Sequence, residues 1–216
     1  MWKSPVASIG NYFVKKVIES RATKDSYKSN RSTLERNFIR LGSELEQIDG
    51  NKIVLLGQPG AGKSTLLHTL TEGACTPKPF ISQMTDATDW TVNENVPLFH
   101  TYKEQAFIDT PGYGTTKHPI QSYSYLPFHD FSTILFVVRG KLRAQDQELF
   151  DMLMLQGCEE KLILVRAYSE TLTEEDVLEV KKDLNKQLKH RYKGIPLVFV
   201  SSRSKDGLAE LWKMIT

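Results

Sequence analysis

Cysteine is scarce in this 216-residue sequence. Cys75 and Cys158 are the only two, far apart and in no metal-ligand spacing. A disulfide scaffold and a zinc ribbon are thereby excluded, and the usage fits a reducing, cytoplasmic setting. No apolar run approaches the roughly 18–20 residues of a membrane-spanning helix, and no signal peptide opens the chain. No internal repeat or low-complexity tract is visible. Net charge is also small, +2 for the whole chain, but it is unevenly spread. Residues 1–40 hold nine Lys/Arg against three acids, a strongly basic stretch ahead of a slightly acidic remainder, so the two regions are expected to have different surface duties.

What is present is enough apolar material, 40% of residues, to bury one substantial core. From about residue 51 short apolar runs alternate with helical patterns. The expected strands are 52–57, 96–102, 105–110, 133–139, 161–167 and 196–202, and the expected helices 62–72, 145–157, 173–190 and 206–215. Continuous apolar strands between amphipathic helices imply an α/β fold with a mostly parallel sheet of six strands covered on both faces. The more polar pair 96–102 and 105–110, joined by Lys103-Glu104, reads instead as an antiparallel hairpin that adds one edge strand. Residues 1–50 lack the alternation. Val6, Ile9, Phe13 and Val17 recur at helical spacing, as do Leu34, Phe38, Leu41 and Leu45, which predicts two helices in an N-terminal extension ahead of a domain at 51–216.

The sharpest signal is Gly57-Gln-Pro-Gly-Ala-Gly-Lys-Ser-Thr65, which satisfies G-x-x-x-x-G-K-[ST] between a strand and a helix. Its glycines let the backbone fold round phosphates and present N–H groups as an anion nest at a helix N-terminus. The expected nucleotide contacts are Gly57, Pro59, Gly60, Ala61, Gly62, Lys63, Ser64 and Thr65. Lys63 should reach the β- and γ-phosphates, and the Ser64 hydroxyl should ligate Mg2+. Asp109, in Ile-Asp-Thr-Pro-Gly-Tyr-Gly (108–114), is positioned to hold that metal through water, and the Gly112 N–H to face the γ-phosphate. By itself an Asp-Thr-Pro-Gly stretch is more often only a turn, so its meaning depends on the loop at 57–65. The polar segment 82–91 between them should supply a threonine that covers metal and γ-phosphate. Thr88 is the first choice, Thr91 the second, and Thr85 also competes. Lys63, Thr88 and Gly112 are thus the expected catalytic set.

Taken together, the glycine-rich loop, Asp109-Thr-Pro-Gly-Tyr-Gly-Thr-Thr116 and the terminal Ser201-Ser-Arg-Ser-Lys-Asp-Gly-Leu-Ala-Glu-Leu211 resemble the corresponding elements of translation-factor-class (TRAFAC) P-loop GTPases, including Era/EngB-type bacterial GTPases. The stretch from Ile108 to Arg166 is also similar in layout to immunity-related GTPases. Those continue into further C-terminal helices, whereas this sequence stops at Thr216, so either that likeness is partial or the chain is a fragment of a longer protein. The resemblance implies a P-loop G domain and Mg2+-dependent binding and hydrolysis of GTP, with GDP as product. An ATP-using P-loop kinase or ATPase is the rival; the hairpin before Asp109 and the absence of an Arg-rich lid weigh against it.

Three elements of the family pattern are rewritten. Where such proteins read Asn/Thr-Lys-x-Asp, this chain reads Ala167-Tyr168-Ser169-Glu170. The resemblance assigns Glu170 the bidentate acceptance from guanine N1–H and N2–H2, and Tyr168 the place of the lysine against the base. Ser201, Ser202 and Arg203 replace the usual Ser-Ala-Lys, with the Ser202 N–H the donor to guanine O6. The alternative is that 167–170 is a surface turn outside the base pocket. Tyr113 stands where a Ras-type enzyme carries the glutamine that orients water. Slow basal hydrolysis is therefore expected, accelerated by a partner or by a homodimer across the nucleotide face. The alternative is a degenerate scaffold that holds nucleotide with negligible turnover. The stripe Trp2, Val6, Ile9, Phe13, Val17 on a basic helix packs on its own domain, docks a partner helix, or lies peripherally on an anionic membrane. RNA contact by this basic stretch has no stacking-aromatic motif to support it, and no DNA partner is expected.

Overall fold

A computed structural model of the protein describes residues 30–79, 81, 88–188 and 194–216. The helix expected around Val6–Val17 lies outside the described residues, as does most of segment 82–91. Among the described residues no helix is long and apolar enough to cross a membrane.

Helix α1 (Thr33–Leu45) starts where Ser32 can cap it: its hydroxyl accepts from Glu35 N–H at 3.3 Å, and the Glu35 carboxylate accepts from Ser32 N–H at 3.2 Å. Leu34, Phe38, Leu41 and Leu45 fall on one face and are buried, as the spacing predicts. Then follow β1 (Asn51–Leu56), α2 (Lys63–Leu70), β2 (His100–Tyr102), β3 (Gln105–Asp109), β4 (Thr133–Val138), α3 (Ala144–Leu155), β5 (Leu162–Arg166), α4 (Glu174–Gln187), β6 (Leu197–Phe199) and α5 (Leu208–Ile215). The six strands form one sheet in the order β2-β3-β1-β4-β5-β6. All neighbours pair in parallel except β2 with β3.

The edge hairpin is shorter than the sequence predicts. Only His100–Tyr102 pairs with β3, turning through Lys103 at φ 53°, and residues 96–99 are not strand. Pro97 has no N–H to give to a ladder, which accounts for the early end. Likewise β6 covers Leu197–Phe199 rather than 196–202.

Because side chains alternate along each strand, the sheet divides its apolar residues between two cores. Ile53, Leu55, Phe107, Leu135, Val137 and Val165 face α2 and α5 through Leu66, Leu70, Leu211 and Ile215. Val54, Leu56, Ile108, Ile134, Phe136 and Leu164 face α1, α3 and α4 through Phe38, Leu41, Leu149, Phe150 and Leu184. The second face depends on α1 for a topological reason. Between β3 and β4 the chain makes only 3-10 turns, at Ile120–Tyr125 and Phe128–Asp130, and no α-helix. Helix α1 packs against the first of these turns and closes that part of the core. The apolar interior is thus continuous across residue 50.

A polar contact locks α1 in place. Asn37 is fully buried and donates from Nδ2 to the carbonyls of Trp90 and Asn93, both at 2.8 Å. Arg40 adds a bond to the Val96 carbonyl at 2.6 Å, and Arg36 an ion pair with Glu94 at 2.5 Å. Asn37→Ala removes both donors and leaves the buried Trp90 carbonyl and the part-buried Asn93 carbonyl short of partners. We expect a loss of roughly 1–3 kcal/mol of unfolding free energy, read as a lower urea midpoint at unchanged slope.

Candidate nucleotide-binding site

The site is built where β1 ends between the ends of β3 and β4. The β1–β3 register sets Leu55 opposite Asp109, and Thr110 extends the contact by donating its hydroxyl to the Leu55 carbonyl at 2.7 Å. The chain then runs through Gly57–Gly62 into α2. Gly62 caps that helix at φ 98°, a conformation open to glycine and strained for other residues. Lys63, buried, donates to the Gly57 carbonyl at 2.8 Å and the Gln58 carbonyl at 3.3 Å, so its ammonium is folded back over the loop.

Three of the expected metal-site residues meet on one carboxylate. The Ser64 hydroxyl donates to Asp109 Oδ2 at 2.6 Å, and the Thr88 hydroxyl to the same oxygen at 3.1 Å. The other oxygen, Oδ1, is buried and accepts no hydrogen bond among the described residues. A buried, orphaned carboxylate oxygen beside two hydroxyls suits a hard, oxygen-seeking cation whose shell is completed by water and phosphate. Among the described residues there is no cluster of three His, Cys, Asp or Glu side chains that could hold a metal unaided. That donor set fits Mg2+ held together with a nucleotide and not a stand-alone metal centre.

Of the competing threonines, Thr85 lies outside the described residues. Thr91 is turned to Asp89, which accepts from its N–H at 2.8 Å and its hydroxyl at 2.6 Å. Asp89 also meets Lys117 at 3.0 Å and the buried His118 at 3.3 Å. Burial raises its carboxyl pKa, but the Thr91 hydroxyl and amide, then Lys117 and His118, outweigh it, so the group is held well below the ordinary carboxylate value.

Gly112 lies hard against the phosphate loop: a Cβ there would come within 2.4 Å of the Pro59 nitrogen. Tyr113 next to it points inward. Its hydroxyl donates to Asp146 Oδ1 at 2.6 Å, while Asp146 Oδ2 accepts from Gln58 Nε2 at 2.8 Å and from the Arg143 N–H at 2.7 Å. One buried carboxylate thereby joins the phosphate loop, the turn after Asp109 and the start of α3. Burial, then the Asp146 charge, pushes the Tyr113 phenol well above its usual pKa, so it stays a donor. A cavity of about 620 Å3 opens beside this junction, lined by Gln58, Gly60, Arg139, Lys141, Arg143 and Asp146 among others.

At the turn after β5, Tyr168 sits at φ 58° and its ring approaches the loop: a Cβ on Gly62 would be 3.2 Å from Tyr168 Cε2. Glu170 is exposed, and the Ser201 hydroxyl, foremost, holds its carboxyl below the ordinary value, helped by its own backbone N–H and the Arg203 charge. Ser201 in turn accepts from Arg203 N–H at 3.2 Å and Ser204 N–H at 2.9 Å, shaping the turn that carries Ser202. The structure therefore brings Tyr168 to the phosphate loop and Glu170 to Ser201 and Arg203. Thr65 follows Ser64 in the first turn of α2.

Several residues of this site carried no functional assignment from the sequence. Asp146 was legible only as an acid in a first helical turn; its bonds to Tyr113 and Gln58 span 33 and 88 residues. Asp89 and Arg139 had no sequence signal beyond their charge.

These features define a P-loop nucleoside triphosphatase with the sheet order of a G domain. The chain belongs to the 50S ribosome-binding GTPase family, whose model matches residues 52–201. It is 31% identical over 175 residues to the GTPase Obg of Flavobacterium psychrophilum, covering 74% of this chain and 49% of that protein. The chain thus spans about half the length of that relative. Among solved structures, Era in complex with MgGDPNP and a segment of 16S ribosomal RNA matches at TM-score 0.55 and 22% identity, over 78% of this chain and 56% of that one. A dimerization-deficient Toc33 from Arabidopsis thaliana matches at TM-score 0.52 and 14% identity, over 84% and 90%. At these identities the structural matches establish the fold.

Two outcomes follow from these polar contacts. Tyr113→Phe leaves the Asp146 carboxylate one donor short and should cost roughly 1.5–3 kcal/mol in denaturant unfolding. For Asp89 the folded pKa lies below the ordinary 3.8, so its contribution is fully present above that value and is lost as pH falls beneath it. Asp89→Asn should therefore flatten the acid limb of the stability–pH profile below about pH 4 and lower stability at neutral pH.

Proposed function

We propose that this chain is a Mg2+-dependent GTP-hydrolysing switch with slow basal turnover, stimulated by a partner or by a second copy across the nucleotide face. The observation that carries the reading is the convergence of the Ser64 and Thr88 hydroxyls on Asp109, one loop away from Lys63. Ser64 and Thr88 would be direct ligands of the metal and Asp109 would hold it through water. Mg2+, when bound, would supply charge neutralisation between the β- and γ-phosphates.

The remaining roles belong to the chain's own groups. The N–H groups of Gly60–Thr65 cradle the phosphates at the start of α2, and Lys63 swings from the loop carbonyls onto the β- and γ-oxygens. Gly112, packed on Pro59, offers its N–H to the γ-phosphate and so reports its presence to the turn that follows. Thr88 does the same for the segment that ends at Trp90. On the base side, Glu170 accepts from guanine N1–H and N2–H2 while Ser201 orients it, and the Ser202 N–H meets O6.

The low basal rate follows from Tyr113. Its hydroxyl is committed to Asp146 inside the core, so the position that orients water in Ras-type enzymes offers no side chain to the attacking water. We expect stimulation to come from a group supplied by a partner or by a second copy. A scaffold that retains nucleotide with negligible turnover is favoured by the same observation and is distinguished by rate.

Parallel titrations with labelled GTP and ATP decide the base. We expect GTP to bind more tightly in the presence of Mg2+, and Glu170→Ala to weaken GTP by at least tenfold while leaving ATP unchanged. Equal affinities would remove the GTPase reading. Single-turnover phosphate release should rise with protein concentration if a second copy is the activator.

A further inference from the structure

We propose that Arg139, at the end of β4, restores through the face of Tyr168 the positive charge that the base-side turn lacks, and so sets nucleotide affinity as a positioning residue. The inference deepens the proposed function and rests on its reading of Tyr168 as part of the nucleoside pocket.

The pairing follows from sheet register. β4 and β5 run parallel with Val138 opposite Arg166, so the residues just beyond them, Arg139 on one strand and Ala167-Tyr168 on the other, leave the sheet side by side. The Ala167 N–H continues the ladder to the Val138 carbonyl at 2.9 Å. The Arg139 guanidinium carbon then lies 4.5 Å from the centroid of the Tyr168 ring, well within cation–π range. Tyr168 itself is held from several sides. The next residue's N–H bonds the Val200 carbonyl at 3.1 Å, and the Thr171 hydroxyl bonds the Tyr168 carbonyl at 2.9 Å. These contacts hold a left-handed conformation that a tyrosine adopts at a cost.

The ring reaches the phosphate loop at Gly62, and Arg139 lines the cavity beside Gly60 and Ala61. The arginine and the tyrosine together therefore present a flat surface and a cation at the place on the loop where the family pattern has a single lysine. The Arg139 charge also bears on the buried Arg166 at the end of β5. Positive charge is concentrated at these two strand ends, next to where an electron-rich nucleoside would lie. A lysine does both tasks with one side chain, its stem against the base and its ammonium on the loop. Here the tasks are divided between neighbouring strands.

The test is a double-mutant cycle on the affinity of a fluorescent GDP analogue, using the full chain with Arg139→Ala, Arg139→Lys, Tyr168→Ala, Tyr168→Phe and the Arg139→Ala/Tyr168→Ala pair. Arg139→Ala should weaken binding about 3- to 10-fold, Arg139→Lys should recover most of the loss, and Tyr168→Phe, which keeps the ring face, should bind as wild type. The double alanine variant should bind no more weakly than Tyr168→Ala alone. Additive losses, or an unchanged Arg139→Ala beside a weakened Tyr168→Ala, overturn the proposal while leaving the nucleoside pocket standing. A Tyr168→Ala protein that binds as tightly as wild type overturns the pocket reading itself. Phosphate release at saturating GTP should be the same in Arg139→Ala and wild type; a fall there would place Arg139 in the chemistry and not in positioning.

Discussion

The parallel pairing of β1 between β3 and β4 is the constraint on which the rest depends. With Leu55 opposite Asp109 and Leu56 opposite Phe136, the ends of three strands lie in one row. The glycine-rich loop that leaves β1, the carboxylate that ends β3 and the basic loop that leaves β4 are then neighbours without further adjustment. A shift of one residue would turn the alternating side chains to the wrong faces and separate Ser64 from Asp109. The site is secure because two apolar cores, one on each face, hold that register.

The core that contains α1 also links the residues after Thr88 to the turn after Asp109. Trp90 packs on Phe38 at 5.6 Å between centroids, Phe38 on Tyr123 at 5.0 Å, and Tyr123 on Tyr113 at 5.7 Å. Tyr123 donates its hydroxyl to the Pro111 carbonyl, within the turn after Asp109. Trp90 lies two residues after Thr88, and Tyr113 follows Gly112, so the two segments expected to sense the γ-phosphate share one packed row of four rings, of which Phe38 belongs to α1. A packed row of rings does not deform gradually.

Much of this was legible in the sequence, for identifiable reasons. The phosphate loop carries its own geometry: glycines at fixed spacing, then Lys-Ser, between an apolar strand and a helix. The strands were legible from continuous apolar runs, and α1 from Leu34, Phe38, Leu41 and Leu45. The edge strand is shorter than its apolar run because Pro97 has no N–H to give to the ladder. The likeness of Tyr113 to a catalytic position hid its actual environment, since only packing shows that its ring belongs to the core. Asp146 and Arg139 were invisible as partners because both act across long sequence separations, where spacing carries no information.

The sequence by itself determined the phosphate-loop motif and the order of strands and helices, because local motifs and periodicity encode both. Tertiary structure alone decided which way ambiguous side chains point. It turned Tyr113 inward to Asp146, Thr88 onto Asp109 and Thr91 onto Asp89, and laid Arg139 over Tyr168. It also made α1 part of the domain's core. The physical reason is common to all of these. Each is a contact between elements brought together by sheet register and core packing, and neither is written in any short stretch of the chain.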